Sequence, residues 1–430
     1  MTPSKKNRLL LVIKLIIFLD FFSVSLVIPL LSSYFRDAGV DTKMYGFISS
    51  LYSISQIIGG LAIGILSDVL RKKDILILSF IGSAISYAIV GLSNDIFMLF
   101  CSRVIVGLVK QTMTITTTVV TDLTADDYEK RAIELGRVSA VISSSFVIGP
   151  MIGGNLYKID KRLPTFIAVV LFISNIIITI IILPGSFSES TDRSHSHKIK
   201  SENSDYNDSS WSLSVFIKRA RSLVSIPGVG IVLLIRAVIG FVESSMSSTH
   251  IMNYYELRFN METYQRGYLS SMAAVINLLT QSFLIGPSLS LFSNDDSLMM
   301  LTSLIVITVS ALMEYFSPSL SFFLVFSVIP KEIASGLVSA ASRGMFAHVV
   351  PTEDTGKVLG VQGVLLSGMG VIAPLYGSQI LLVLGKVKTK AIVSAAHFAL
   401  TAVLVSALCS SSSVLLRKAG LVAQAHPHTD

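Results

Sequence analysis

The residues whose types could do chemistry are charged side chains standing inside long apolar runs. Asp20 lies roughly eleven residues into the run that begins at Leu9, about 16 Å deep in a helix rising 1.5 Å per residue. Arg103 and Lys110 share a second run, Arg236 and Glu243 a third, and the adjacent Lys331 and Glu332 a fourth. Arg103 and Lys110 are seven apart, as are Arg236, Glu243 and His250, a step that puts side chains on one helix face. A charge in apolar surroundings is costly and is a functional hypothesis by default. Burial disfavours a carboxylate's charge and a neighbouring base restores it, so a change of surroundings makes the group take up or release a proton. Two readings are open. The acids and bases either form ion pairs that hold helices in register, or one acid carries a proton, with Asp20 and Glu243 the first choices. Glu314, near the end of its run, reads as an edge residue that snorkels.

The elements that must position these groups are membrane spans. The chain has 430 residues, of which 52% are hydrophobic and 14% charged, where soluble domains carry about 25% charged residues. Windows of about 20 predominantly apolar residues fall near 9–34, 45–66, 75–93, 97–120, 137–157 and 163–183. They resume near 226–252, 267–291, 298–316, 319–347, 358–384 and 391–416. The expected fold is an all-α integral membrane protein with twelve transmembrane helices in two six-helix bundles. Its parts are an N-terminal bundle over 1–183, a polar linker over 184–225, a C-terminal bundle over 226–418 and a tail over 419–430. The linker lacks apolar periodicity and reads as disordered. Lys and Arg lie mostly on one side of this topology, which places both termini in the cytosol. The sequon Asn207-Asp208-Ser209 then falls inside and goes unused.

Several chemistries find no support. Cys101 and Cys409 sit in apolar runs and give neither a disulfide framework nor zinc spacing. His195 and His197, in the linker, make no metal site. No phosphate-binding Gly-rich loop, HExxH pair or soluble Ser/His/Asp set occurs, so neither an enzyme nor a cofactor or metal is expected. The net charge of +7 lacks the basic, aromatic face of a nucleic-acid binder. The expected partners are the lipid bilayer, a small organic solute and protons.

The two halves repeat. GFISS at 46–50 answers GYLSS at 267–271, and the LG…GPMIGG stretch at 135–154 answers LG…APLYGS at 359–378, at nearly the same offset. Such parallel repeats are one transporter plan. Between the second and third windows stands Gly64-Ile-Leu-Ser-Asp68-Val-Leu-Arg71-Lys72-Lys73. This resembles the signature loop of the major facilitator superfamily, G-x-x-x-D-[RK]-x-G-[RK]-[RK]. Gly64, Asp68, Lys72 and Lys73 match, while Val69 and Arg71 depart from the expected base and glycine. Ser145-x-x-x-Gly149-Pro150-x-x-Gly153-Gly154 resembles the antiporter motif of the superfamily's exporters, with Ser145 for the first glycine. Arg103 followed by Gly107 resembles its helix-4 arginine motif. Asp20 with Pro29 resembles the tetracycline-efflux branch, and among eukaryotic proteins the likeness is to the orphan domain-containing group of the superfamily.

The resemblance implies two six-helix bundles, a solute cavity lined by helices 1, 4, 7 and 10, and proton-coupled export. Tyr52, Gln56, Asn277 and Gln281 are candidates for polar contacts in that cavity, or for simple cross-helix hydrogen bonds. The second copy of the signature loop, Phe292-Ser-Asn-Asp-Asp296, has lost its basic half, and the second antiporter motif carries Ala373 and Ser378 beside Pro374 and Gly377. These departures leave room for an uncoupled facilitator or for a receptor or scaffold that keeps the fold.

Overall fold

A computed structural model describes residues 3–66, 70–124, 128–183, 221–224, 226, 228–246, 255–256, 258–293, 295–350, 355–384 and 389–424. Asp68, His250, the stretch 184–220 with its sequon and histidines, and residues 425–430 lie outside them. All regular structure among the described residues is helical. Among the described residues, twelve helices are long and apolar enough to cross a membrane. They are α1 (Lys5–Asp37), α2 (Thr42–Ile63), α3 (Lys72–Leu92), α4 (Ile96–Leu123), α5 (Ile133–Ile159) and α6 (Leu163–Ile182), then α7 (Val229–Met246), α8 (Gln265–Leu291), α9 (Asp296–Phe316), α10 (Leu320–Val349), α11 (Val358–Ile380) and α12 (Lys390–Ser410). Each apolar window of the sequence corresponds to one of them. In a bilayer only a helix satisfies every backbone group within its own segment, so a long apolar run leaves no other choice.

Prolines set the irregularities. Pro29 stands in a 3-10 turn, Ile28–Leu30, within α1. The π turns Thr280–Leu284 in α8 and Leu324–Val328 in α10 are followed closely by Pro287 and Pro330. A proline donates no backbone hydrogen bond and crowds the carbonyl four residues earlier, here Phe283 and Phe326 inside those turns. The wider turn makes room for the ring. In α5, by contrast, Pro150 lies within an unbroken helix from Tyr128 to Ile159.

The chain divides into two compact units. The first holds residues 1–209 together with 249–274, and the second holds 210–248 and 275–430. In the first, α1 packs on α5 and α6, α2 on α4, and α3 on α4 and α6. In the second, α7 packs on α11, α9 on α10 and α12, and the π turn of α8 on α10. The pairs 1–5, 3–6, 3–4 and 2–4 thus recur six helices later, which is the packing counterpart of the sequence repeat.

Small residues allow these approaches. Gly149 and Gly153 of α5 lie against Ser25 and Leu26 of α1, and Gly377 of α11 lies against Ser245 of α7. Gly107 of α4 meets α2, where an added Cβ would stand 2.6 Å from that of Ser55. Without a hydrophobic driving force in lipid, such close backbone contact is what holds helices together.

Candidate functional site

In the first unit the charged residues converge. Asp20 of α1 is 0% exposed, and its Oδ1 accepts a hydrogen bond from Lys110 Nζ in an ion pair. Asp20 Oδ2 is buried and has no hydrogen-bond partner among the described residues. Lys110 stands at a break in α4. The helix Ile96–Val109 ends, Lys110 and Gln111 leave helical geometry, and a second segment, Thr112–Leu123, resumes. Lys110 N still donates to the Val106 carbonyl at 2.9 Å, so Lys110 ends the same helix that carries Arg103 seven residues earlier, and the two share its face. The lysine stem reaches Asp20 with Nζ 5.1 Å from the centre of the Phe172 ring.

Arg103 sits 6.0 Å over Tyr87 and donates from Nε to Ser102 at 3.3 Å, while its Nη2 is buried without a hydrogen-bond partner among the described residues. Tyr52 and Tyr87 both lie within electrostatic reach of Arg103 and Asp20. Gln56 Nε2 donates to Tyr52 Oη at 3.5 Å, and Gln111 Nε2 donates to the Gln56 carbonyl at 3.4 Å. A carboxylate oxygen and a guanidinium nitrogen that are each buried and unpaired are costly. A proton on Asp20, or a donor and acceptor from a solute, would relieve that cost.

In the second unit a cavity of about 260 Å³ is lined by Glu243, Glu314, Lys331, Glu332 and Lys390, with Ser335, Ser339 and Ser394. Glu243 lies within electrostatic reach of Arg236, Lys331 and Glu332. The edge reading of Glu314 is corrected: it is 4% exposed and pairs with Lys390 at 3.2 Å. Glu314 continues the buried stripe Met300, Leu304, Ile307 and Ala311, so its face of α9 points into protein. Lys390, just outside the apolar window 391–416, opens α12 and is 4% exposed. Of the polar residues on α8, Gln281 Nε2 donates to Asn277, and Arg343 donates to Gln281 Oε1 at 3.4 Å. The candidate coupling residues therefore form two groups, Asp20, Arg103 and Lys110 in one unit and Arg236, Glu243, Lys331 and Glu332 in the other.

The signature loop is anchored at its basic end. Gly64 lies in the last turn of α2's helical stretch, which runs to Leu66. Lys72 pairs with Asp122 at the end of α4, and Lys73 Nζ donates to the carbonyls of Ile180 and Leu183 at 2.7 Å each. A cation on the last carbonyls of a helix satisfies groups with no intrahelical partner and opposes the helix dipole. In the degenerate second loop, Asp295 caps α9 by accepting from Ser297 N at 2.8 Å, and Asp296 pairs with His348 at 3.3 Å.

The antiporter-like stretch lies along α1. Ser25 Oγ donates to the Ser145 carbonyl at 2.9 Å, and Ser145 Oγ donates to Phe18 O at 3.3 Å. Gly154 and Pro150 meet Tyr264 and Gly267, within the stretch 249–274. Three further charged groups escaped the sequence reading. Glu134 is buried between Lys14 at 2.7 Å and Arg137 at 2.6 Å. Arg266, just before the apolar window 267–291, is 0% exposed and is held by Ser32, Ser33 and Glu256. Glu256 in turn pairs with Arg36. Each sits at the edge of an apolar window, where charge ends the window and hides the pairing.

The sequence profile of the Major Facilitator Superfamily matches residues 14–374. The class D tetracycline resistance protein of Salmonella ordonez is 32% identical over 168 residues, which span 38% of this chain and 42% of that protein. The class C tetracycline resistance protein of Escherichia coli is 23% identical across 87% of this chain and 90% of its own length. Among solved structures, the human organic anion transporter MFSD10 aligns with a TM-score of 0.63 at 18% identity, covering 94% of this chain and 100% of that one.

Proposed function

The chain belongs to the major facilitator superfamily, and from that premise we propose that it is a proton-coupled antiporter that exports a small organic solute by alternating access. The observation that carries the reading is Asp20: wholly buried, ion-paired to Lys110, with one carboxylate oxygen unpartnered. Such a group has two stable arrangements. Ionised, it holds Lys110; protonated, it releases Lys110 and can donate through the second oxygen. Exchange between the two is what couples a proton to a change of helix packing. Glu243 and its bases form a second such cluster, with Tyr52, Gln56, Asn277 and Gln281 as polar contacts for the solute. The fit of the antiporter-like stretch of α5 against α1, which carries Asp20, supports the export direction and the placement in the tetracycline-efflux branch. The excess of bases on one side supports cytosolic termini.

The test is solute flux in liposomes with an imposed pH gradient, using tetracycline-like compounds, lipophilic cations and organic anions. Uphill movement that a protonophore abolishes is expected for the natural chain. Asp20→Asn is expected to lose that movement and keep downhill exchange. Movement insensitive to the gradient would make the protein an uncoupled facilitator. A well-folded preparation that moves no compound, and that none of them stabilises thermally, would favour a receptor or scaffold.

A further inference from the structure

We propose that the shared end of α1 and α5 holds a binding site for the head group of an anionic phospholipid. A cavity of about 510 Å³ opens there, with three bases, Lys14, Lys130 and Arg137, and one acid, Glu134, in its lining. Glu134 is 4% exposed, and both its oxygens are taken, Oε2 by Lys14 at 2.7 Å and Oε1 by Arg137 at 2.6 Å. That carboxylate offsets one of the three bases, so the lining keeps an excess of positive charge. The Arg137 side chain, already fixed by Glu134, is 60% exposed, which leaves donors for a phosphate oxygen.

The second half of the argument is apolar. Leu11 and Ile133 line the same cavity and are 67% and 48% exposed, at the beginnings of the spans α1 and α5. Bases with exposed aliphatic side chains beside them, at the end of two membrane spans, match an amphiphile: a phosphate for the bases and acyl chains for Leu11 and Ile133. Basic pockets between spans bind anionic head groups for this reason, each base near the surface contributing about 1 kcal/mol. An inorganic phosphate would use the bases and leave the apolar wall idle. The site is separate from the Asp20 and Glu243 clusters, and its occupancy is independent of whether the protein moves protons.

The test uses the purified full-length chain in mild detergent, titrated with short-chain phosphatidylglycerol, short-chain phosphatidylcholine and inorganic phosphate. Phosphatidylglycerol is expected to bind at least tenfold more tightly than either of the others, by roughly the contribution of one or two bases. Lys130→Gln, which leaves both Glu134 pairs intact, is expected to weaken it about fivefold, and Lys130→Gln with Arg137→Gln about thirtyfold. Lys130→Arg with Arg137→Lys is expected to bind as the natural chain does, which separates lost charge from lost fold. Equal binding of the two lipids would overturn the proposal, as would phosphate binding as tightly as phosphatidylglycerol. Unchanged preference in Lys130→Gln together with the double variant would overturn it as well.

Discussion

At the scale of single residues, buried ion pairs carry most of what distinguishes this chain from an inert bundle. Glu314 and Lys390 are each 4% exposed and 3.2 Å apart. Taking one partner away leaves an uncompensated charge in a dry interior, which costs about 3–5 kcal/mol, whereas replacing both with apolar groups of similar size is often neutral. Lys390→Met alone is therefore expected to lower the midpoint of thermal unfolding in detergent markedly. Glu314→Leu combined with Lys390→Met is expected to restore most of it. If the double variant unfolds as early as the single one, the pair is not a closed unit and Glu314 answers to other groups in its cavity. The Asp20–Lys110 pair differs in one respect that matters for function. Asp20 keeps an unpartnered oxygen, so the pair is electrostatically closed but its hydrogen bonding is not. That asymmetry is the reason for proposing Asp20 as the proton carrier.

At the scale of elements, helix contacts follow the smallest side chains, and this can be tested within α5 alone. Gly153 lies directly against the Leu26 backbone, whereas a Cβ at Gly136 would have nothing within 4 Å. Gly153→Val must push α1 from α5 and is expected to cost about 1–3 kcal/mol of overpacking. Gly136→Ala gains helix propensity without a clash and is expected to be neutral or stabilising by up to about 1 kcal/mol. Equal destabilisation by both would mean that the helix, and not the interface, needs the glycines. The elements were largely legible in the sequence, because lipid leaves a long apolar run only one way to satisfy its backbone. The charged pairs were less legible. Asp20 stood out by its depth in an apolar run, but its partner Lys110 lies 90 residues away, and no window shows which runs pack together. Lys14–Glu134, Glu314–Lys390 and Arg266–Glu256 each have a member at a window's edge, where hydropathy assigns charge to a loop. Only tertiary packing reveals that such a residue points inward.

At the scale of the whole molecule, the question is whether the two charged clusters serve one cycle or two separate purposes. The Asp20 cluster belongs to the first unit and the Glu243 cavity to the second, with no residue in common. Purely structural ion pairs in separate units would make independent contributions, and independent contributions multiply in rate and add in free energy. Steps of one coupled cycle behave differently: once the proton path is interrupted at either cluster, interruption at the other has little left to remove. Asp20→Asn and Glu243→Gln are each expected to lower protonophore-sensitive export at least about tenfold, and the double variant is expected to be no slower than the slower single. Initial rates in liposomes at fixed pH gradient measure this, with thermal unfolding of the same three variants as the control for folding. Rate losses that multiply, accompanied by unfolding losses that add, would return both clusters to the role of struts. Rate losses that do not multiply, with folding intact, would make Asp20 and Glu243 parts of one proton-driven cycle.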